Sequence, residues 1–312
     1  MPSSPAHAPA DPRTPPPTAT SAASLEHWSE AGRTGMEAFY ALATEDYRQL
    51  ATAVDWAAEL TRVAAGRDAV RLLDVACGSG KFPAALLARP AVRALAGALT
   101  VHTDLLDPSA FSLAEARGQL QPPFVGAADH ECTLQELAVP EGGYDVVWSL
   151  HGLYAVPAEE VPAAMRRFAE AVAPGGLGVI AQATGQSHYL VFDEVFRRSF
   201  DPSGSRVPYS TVEQLVAGLA GCGVTAEGPT LRYETSVARE DRATAEGFLQ
   251  RCAFDDTVSL DQMLADPQVG AYLRSCERGD RWVFSHEVRL VTTRPVATAP
   301  QPTAAAQAEV QA

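Results

Sequence analysis

Residues 72–82 read LLDVACGSGKF, an apolar run that ends in an acid and opens into a loop of small residues. Gly78 and Gly80 let the backbone turn tightly and bring N–H groups close to a ligand, and a helix starting just beyond would add its positive end. Three ligand types compete for such a loop. Triphosphate binding needs a lysine followed by Ser or Thr, whereas Lys81 is followed by Phe82 and Pro83. A dinucleotide needs a third small residue where Phe82 or Pro83 stands, and Asp74 at the strand end would repel a pyrophosphate. Asp74 suits hydrogen bonds from the loop or a cationic ligand, or it simply caps the turn.

Other candidate groups recur at the ends of apolar runs. Asp104 and Asp107 lie in LTVHTDLLDPSAF, Asp129 in AADHEC, and Ser149, Leu150 and His151 in WSLHGLYAVP. An imidazole titrates near neutrality, so His151 could bind a nucleophile or take its proton; a structural histidine bonded to the backbone is the alternative. His102, His130, His151, His188 and His286 fall on different elements, and Asp129, His130 and Glu131 make only a short polar cluster, so no metal site is expected.

These groups need a scaffold that brings strand ends together. AVRLLDV, LTVHTDLL, PFVGAAD, YDVVWSL and LGVIAQATG read as buried strands, separated by the helical stretches PAALLARPAVRALAG, SLAEARGQL and VPAAMRRFAEAVA. Parallel strands require such crossovers, which predicts an α/β, Rossmann-like, doubly wound sheet. Before the first strand, Phe39, Leu42, Tyr47, Leu50, Val54, Ala57 and Leu60 recur near a helical period, predicting one or two helices within 25–67. After the fifth strand come TVEQLVAGLAGCG as a helix, VTAEGPTLRYETSVA as one or two strands, more helices, and RWVFSHEVRLVTT as the last strand. Residues 187–209 and 239–280 exceed a minimal crossover and read as substrate-side insertions.

The chain has 312 residues, 46% of them hydrophobic, which is enough for a large buried core. Its net charge of −14 disfavours nucleic acid and anionic membranes as partners. Residues 1–24 and 294–312 are rich in Pro, Ala, Ser and Thr and read as disordered tails. The five widely spaced cysteines fit a reducing compartment. With no apolar leader and no membrane-length apolar run, a cytoplasmic protein is expected, either a monomer or a homodimer.

DVACGSGKF resembles the first motif of the class I S-adenosylmethionine-dependent methyltransferases, with Ala76 in place of its usual first glycine. The resemblance spans about residues 36–293. It implies a mostly parallel seven-stranded sheet with an antiparallel last strand, a methyltransferase domain over 68–293 and a helical lid over 25–67. It also implies S-adenosyl-L-methionine as donor, with S-adenosyl-L-homocysteine as product. Asp74, Ala76, Gly78 and Gly80 would flank the methionine part. Asp107, or else Asp104, would take the ribose hydroxyls, as one carboxylate can accept from both. Asp129 would meet the adenine amino group, Ser149 and Leu150 would border the cofactor, and His151 would sit where methyl group and substrate meet.

The segment from TAEGFLQRCAF to the last strand, together with DPSAF and LHGLYAVP, resembles histamine N-methyltransferase and its bacterial small-molecule relatives. His151 stands where that group has glutamine. The group holds a substrate amine with an acid from its N-terminal helices, for which Glu45 and Asp46 are the candidates. Tyr40 and Tyr47 could cover the cofactor, while Tyr154, His188, Tyr189, Phe192 and Phe196 could wall the substrate pocket. The resemblance implies methyl transfer to a small molecule, foremost to nitrogen of an amine, amino acid derivative or imidazole. Transfer to oxygen or carbon of a natural-product intermediate, as in antibiotic biosynthesis, is the alternative, and a non-catalytic nucleoside-binding scaffold is the reading from another class.

Overall fold

The computed structural model describes residues 19–293. Three helices lead in: α1 (Ala19–His27), α2 (Arg33–Ala53) and α3 (Trp56–Ala64). The sheet then alternates with helices through β1 (Ala69–Val75), α4 (Lys81–Leu87), α5 (Pro90–Arg93), β2 (Thr100–Leu106), α6 (Ala110–Gln119) and β3 (Phe124–His130). It continues with β4 (Tyr144–Leu150), α7 (Val161–Ala171), β5 (Val172–Ala183), α8 (His188–Phe200) and α9 (Val212–Gly221). The last part contains β6 (Ala226–Glu227), β7 (Thr230–Ala238), α10 (Arg242–Ala253), α11 (Leu260–Ala265), α12 (Pro267–Ser275), β8 (Glu277–Arg278) and β9 (Arg281–Thr293).

Strands run in the order β3-β2-β1-β4-β5-β9-β6, with β7 and the short β8 also pairing β9. The first five are parallel, and β9 inserts antiparallel beside β5. β6 and β7 both pair antiparallel with β9, bracketing Gly228, where a Cβ would lie 1.9 Å from the Leu290 carbonyl oxygen. This is the Rossmann-like sheet that the strand and helix pattern predicts, with the antiparallel last strand that the family resemblance implies. β1, β4 and β5 read as nearly continuous apolar runs because helices cover both faces of a parallel sheet.

One sheet face packs Trp56 and Leu60 of α3 with Phe82, Trp148 and Val179; the other packs Met165 and Phe168 of α7 with Leu73, Val147 and Leu215. α3 is therefore part of the core layer and not of a lid. A third cluster joins α2, α8, α10, α11 and α12 to the outer part of β9 through Leu42, Phe192, Phe196, Phe248, Met263 and Phe284. Phe192 and Phe196, expected in the pocket wall, are fully buried here and support the wall from behind.

Three local outcomes differ from the sequence reading. The helix expected over 83–97 is two short pieces, because Pro90 cannot continue a helix and instead starts the second one. β5 starts at Val172, inside the stretch 161–173 that reads as helix, and a register shift absorbs Pro174, Gly175 and Gly176. The expected tail over 1–24 runs into helix: α1 begins at Ala19 and docks through Thr20 Oγ1 to the Val207 carbonyl (2.8 Å). Residues 1–18 and the expected tail over 294–312 lie outside the described residues.

Candidate active site

The loop after β1 lies at the carboxyl edge of the sheet. Ala76, Gly78 and Gly80 have φ of 53°, 52° and 70°, so this alanine holds a left-handed backbone that favours glycine. A Cβ on Gly80 would lie 2.9 Å from Ala116 Cα; the glycine lets α4 pass close against α6. Gly152 has the same function across the site, since its Cβ would come 2.5 Å from that of Ala76. Tyr40 of α2 covers the loop: Ser79 Oγ donates to its hydroxyl (3.0 Å), and Lys81 Nζ lies 4.6 Å from its ring centroid.

Two buried acids border this loop. Asp107, the residue after β2, accepts from Gly78 N (3.0 Å) and Ser109 N (2.9 Å), tying the second strand to the glycine turn. Burial raises its pKa to about 6 against the lowering effect of those bonds. Asp74 is raised to about 8 by burial and by the charge of Asp107, while the Trp148 indole approaches it and tempers the rise without reaching hydrogen-bond geometry. Asp104 is used structurally: it accepts from Ala128 N (3.0 Å) and the Tyr144 hydroxyl (2.8 Å).

Beyond the loop lies a chamber with about 590 Å³ of atom-free space, part of it open to solvent. Trp28, Phe39, Tyr47, Tyr154, Tyr189, Tyr209 and Phe254 make its walls, and Asp46, His151, Gln182 and Arg251 are its polar groups. Asp46 accepts from the Tyr189 hydroxyl through Oδ2 (2.6 Å), whereas Oδ1 is buried without a partner. Burial raises its pKa to about 7; Tyr189 and the approaching Tyr233 hydroxyl oppose the shift. His151 follows β4 directly in a left-handed conformation (φ 56°), its N–H donating to the Ala181 carbonyl at 2.8 Å. Its Nε2 is buried and unpartnered, and burial lowers its pKa to about 4, which keeps the ring neutral near pH 7. Ser149 Oγ and Gln182 Oε1 are also buried without partners.

A methyltransferase domain family matches residues 47–216, from the middle of α2 to the middle of α9. The chain belongs to this family. It is a class I S-adenosylmethionine-dependent methyltransferase. A candidate methyltransferase from Bacillus halodurans has a similar structure, with TM-score 0.50 and 14% identity over 78% of this chain and 100% of that one. The YcgJ protein of Bacillus subtilis aligns with TM-score 0.48 and 12% identity over 76% of this chain and 97% of its own. Magnesium protoporphyrin IX methyltransferase from Synechocystis, solved with S-adenosylhomocysteine, gives 0.47 and 14% over 85% and 96%. At these identities the likeness concerns the fold. No curated protein is recognisably similar in sequence.

The methyltransferase brings Asp74, Ala76, Gly78, Gly80, Asp107, Ser149, Leu150 and His151 to the edge formed by β1, β2 and β4. Asp129 faces outward instead, with its side chain 41% exposed and paired with Arg117. Of the two acids on α2, Asp46 enters the chamber, while Glu45 points about 100° away and pairs with Arg48. Tyr47, Tyr154 and Tyr189 line the chamber. His188 does not: it is 2% exposed, stacks on Phe284 with centroids 4.3 Å apart, and bonds the Tyr272 hydroxyl through Nδ1 (2.6 Å). No helix among the described residues is long and apolar enough to cross a membrane, and no metal-holding cluster occurs among them.

Sequence reasoning missed Trp28, Phe39, Gln182, Tyr209, Arg251, Cys252 and Phe254. Gln182 had a usable signal, a lone amide in the apolar strand GVIAQA, at a carboxyl edge where ligands bind. Arg251 had none, since arginine on a helix normally faces water.

Proposed function

We propose that this methyltransferase acts on a small molecule in the aromatic chamber and methylates a nitrogen of an amine, amino acid derivative or imidazole. The observation that carries this reading is Asp46: a buried carboxyl on the chamber wall with one oxygen held by Tyr189 and the other unpartnered. A buried acid of this kind is best completed by a cationic or N–H-bearing ligand. The resemblance of the downstream segment to the histamine N-methyltransferase group favours the same acceptor class, and the free thiols suit a reducing, cytoplasmic setting.

The donor contributes a methyl group on an electrophilic sulfonium. The chain's residues fit it: the glycine turn leaves room for close backbone approach, Asp107 stands where two ribose hydroxyls could replace its backbone partners, and Ser149 offers a buried hydroxyl without a partner. Asp129 would need to leave Arg117 to reach an adenine. An ammonium must lose a proton before its lone pair can attack, and Asp46, poised near neutrality, accepts that proton. His151 remains neutral and orients the nitrogen through Nε2, and the aromatic walls flank it.

Oxygen transfer is the second reading, because the neutral His151 could take a hydroxyl proton at the unpartnered Nε2. Methyl-labelled donor, incubated with panels of amines, imidazoles and phenols and followed by product mass spectrometry and NMR, tests the choice. Label on nitrogen, with Asp46→Asn raising KM, is the expected result; label on oxygen or carbon alone overturns the nitrogen reading.

A further inference from the structure

Arg251 lies on α10 at the wall of the chamber and is 1% exposed. Nη1 donates to the His27 carbonyl at 2.5 Å and Nη2 to the Gly32 carbonyl at 2.6 Å, fastening the turn between α1 and α2. The guanidinium also sits 4.9 Å from the Trp28 ring centroid. These contacts satisfy two of its five N–H donors, and Nε is left buried without a partner.

Its charge is less well satisfied than its hydrogen bonds. Carbonyl dipoles and a ring face compensate a buried cation only in part. Asp256, the carboxylate whose charge acts on it, has a side chain 60% exposed and lies 3.2 Å from His27 Nε2. Asp46 lines the same chamber, and no ion pair joins it to Arg251. Two buried groups of opposite sign thus share one space, each with an unpartnered atom. Nε and an adjacent Nη proton form the planar fork that a carboxylate fits in bidentate fashion.

We infer that Arg251 is the carboxylate-binding residue of the chamber. With Asp46 at the cationic end, the matching acceptor is an amino acid or another small molecule bearing both an amine and an acid. This rests on the chamber being the acceptor site. The methionine tail of the donor is a second source of the same chemistry, and the experiment separates the two.

Wild type, Arg251→Met and Arg251→Lys are assayed for methyl transfer to phenylalanine, tyrosine, tryptophan and histidine, and to phenethylamine, tyramine, tryptamine and histamine. Calorimetry with S-adenosylhomocysteine and its decarboxylated analogue runs in parallel. The expected result is that Arg251→Met lowers kcat/KM for an acid at least about 10-fold more than for its matched amine, with partial recovery in Arg251→Lys. Loss of the fastened turn affects both members of a pair alike and cancels in the ratio. If Arg251→Met instead weakens S-adenosylhomocysteine by about 10-fold or more and spares the decarboxylated analogue, the bound carboxylate is the donor's. The inference is overturned if neither contrast depends on Arg251, including the case in which no acid is accepted and S-adenosylhomocysteine binds the Met variant normally. Mapping the methylated atom keeps this separate: transfer to oxygen or carbon would overturn the nitrogen reading and leave the acid contrast readable.

Discussion

The glycine loop and the aromatic chamber share the carboxyl edge of the sheet, but they are assembled from different kinds of sequence. The loop is one short segment, 74–80, completed by Asp107, and it works through backbone conformation and the absence of side chains. The chamber draws on α2, α8, α10 and the ends of β4 and β5, and it works through large side chains that meet only after folding. A local segment can be altered by one Cβ. A composite wall fails through its supports, or through the polar group it presents.

Phe192→Ala tests where the chamber ends and its support begins. Emptying that fully buried site should cost about 3–5 kcal/mol of stability, read from the denaturation midpoint, with the KM for acceptor nearly unchanged in the protein that remains folded. Gly80→Val strains a backbone at φ 70° and drives a side chain into α6; S-adenosylhomocysteine affinity should fall by about 100-fold in calorimetry. His151→Ala sharpens the boundary from the other side. Turnover should drop by about 30-fold while donor affinity stays within about 3-fold, and a matching loss of donor affinity would place His151 with the loop.

Asp46→Asn is the change with a pH signature. Burial holds the carboxyl near 7, above its unperturbed value of 3.8, so its ionisation produces a rise in activity through about pH 7 that the Asn variant lacks. Stability moves the other way. Because the folded value is raised, the contribution of this group is full below about pH 4 and is lost as pH rises through about 7; Asp46→Asn should flatten that decline in urea unfolding. His151, lowered to about 4, adds no limb near neutrality.

Much of the loop was legible because its chemistry is local. Gly78 and Gly80 follow the first strand, Asp74 ends it, and Asp107 follows the second, each at a position that the strand and helix alternation already marks. Asp104 and Asp107 could not be separated with the same security, since only the fold reveals that Tyr144 and Ala128 occupy Asp104. Phe192 and Phe196 read as pocket walls because an aromatic on a helix has no intrinsic direction; the packing of α8 against α10 and β9 turns both into core.

Spacing and residue type by themselves determined the alternation of strands and helices, the glycine turn and the acids that border it, because strand periodicity and backbone freedom act over a few residues. Tertiary structure chose between Glu45 and Asp46, moved His188 behind the wall, and brought Arg251 beneath Trp28. Those outcomes depend on which helix face meets which neighbour. Burial then leaves Asp46, His151 and Arg251 with atoms that no other part of the described chain satisfies.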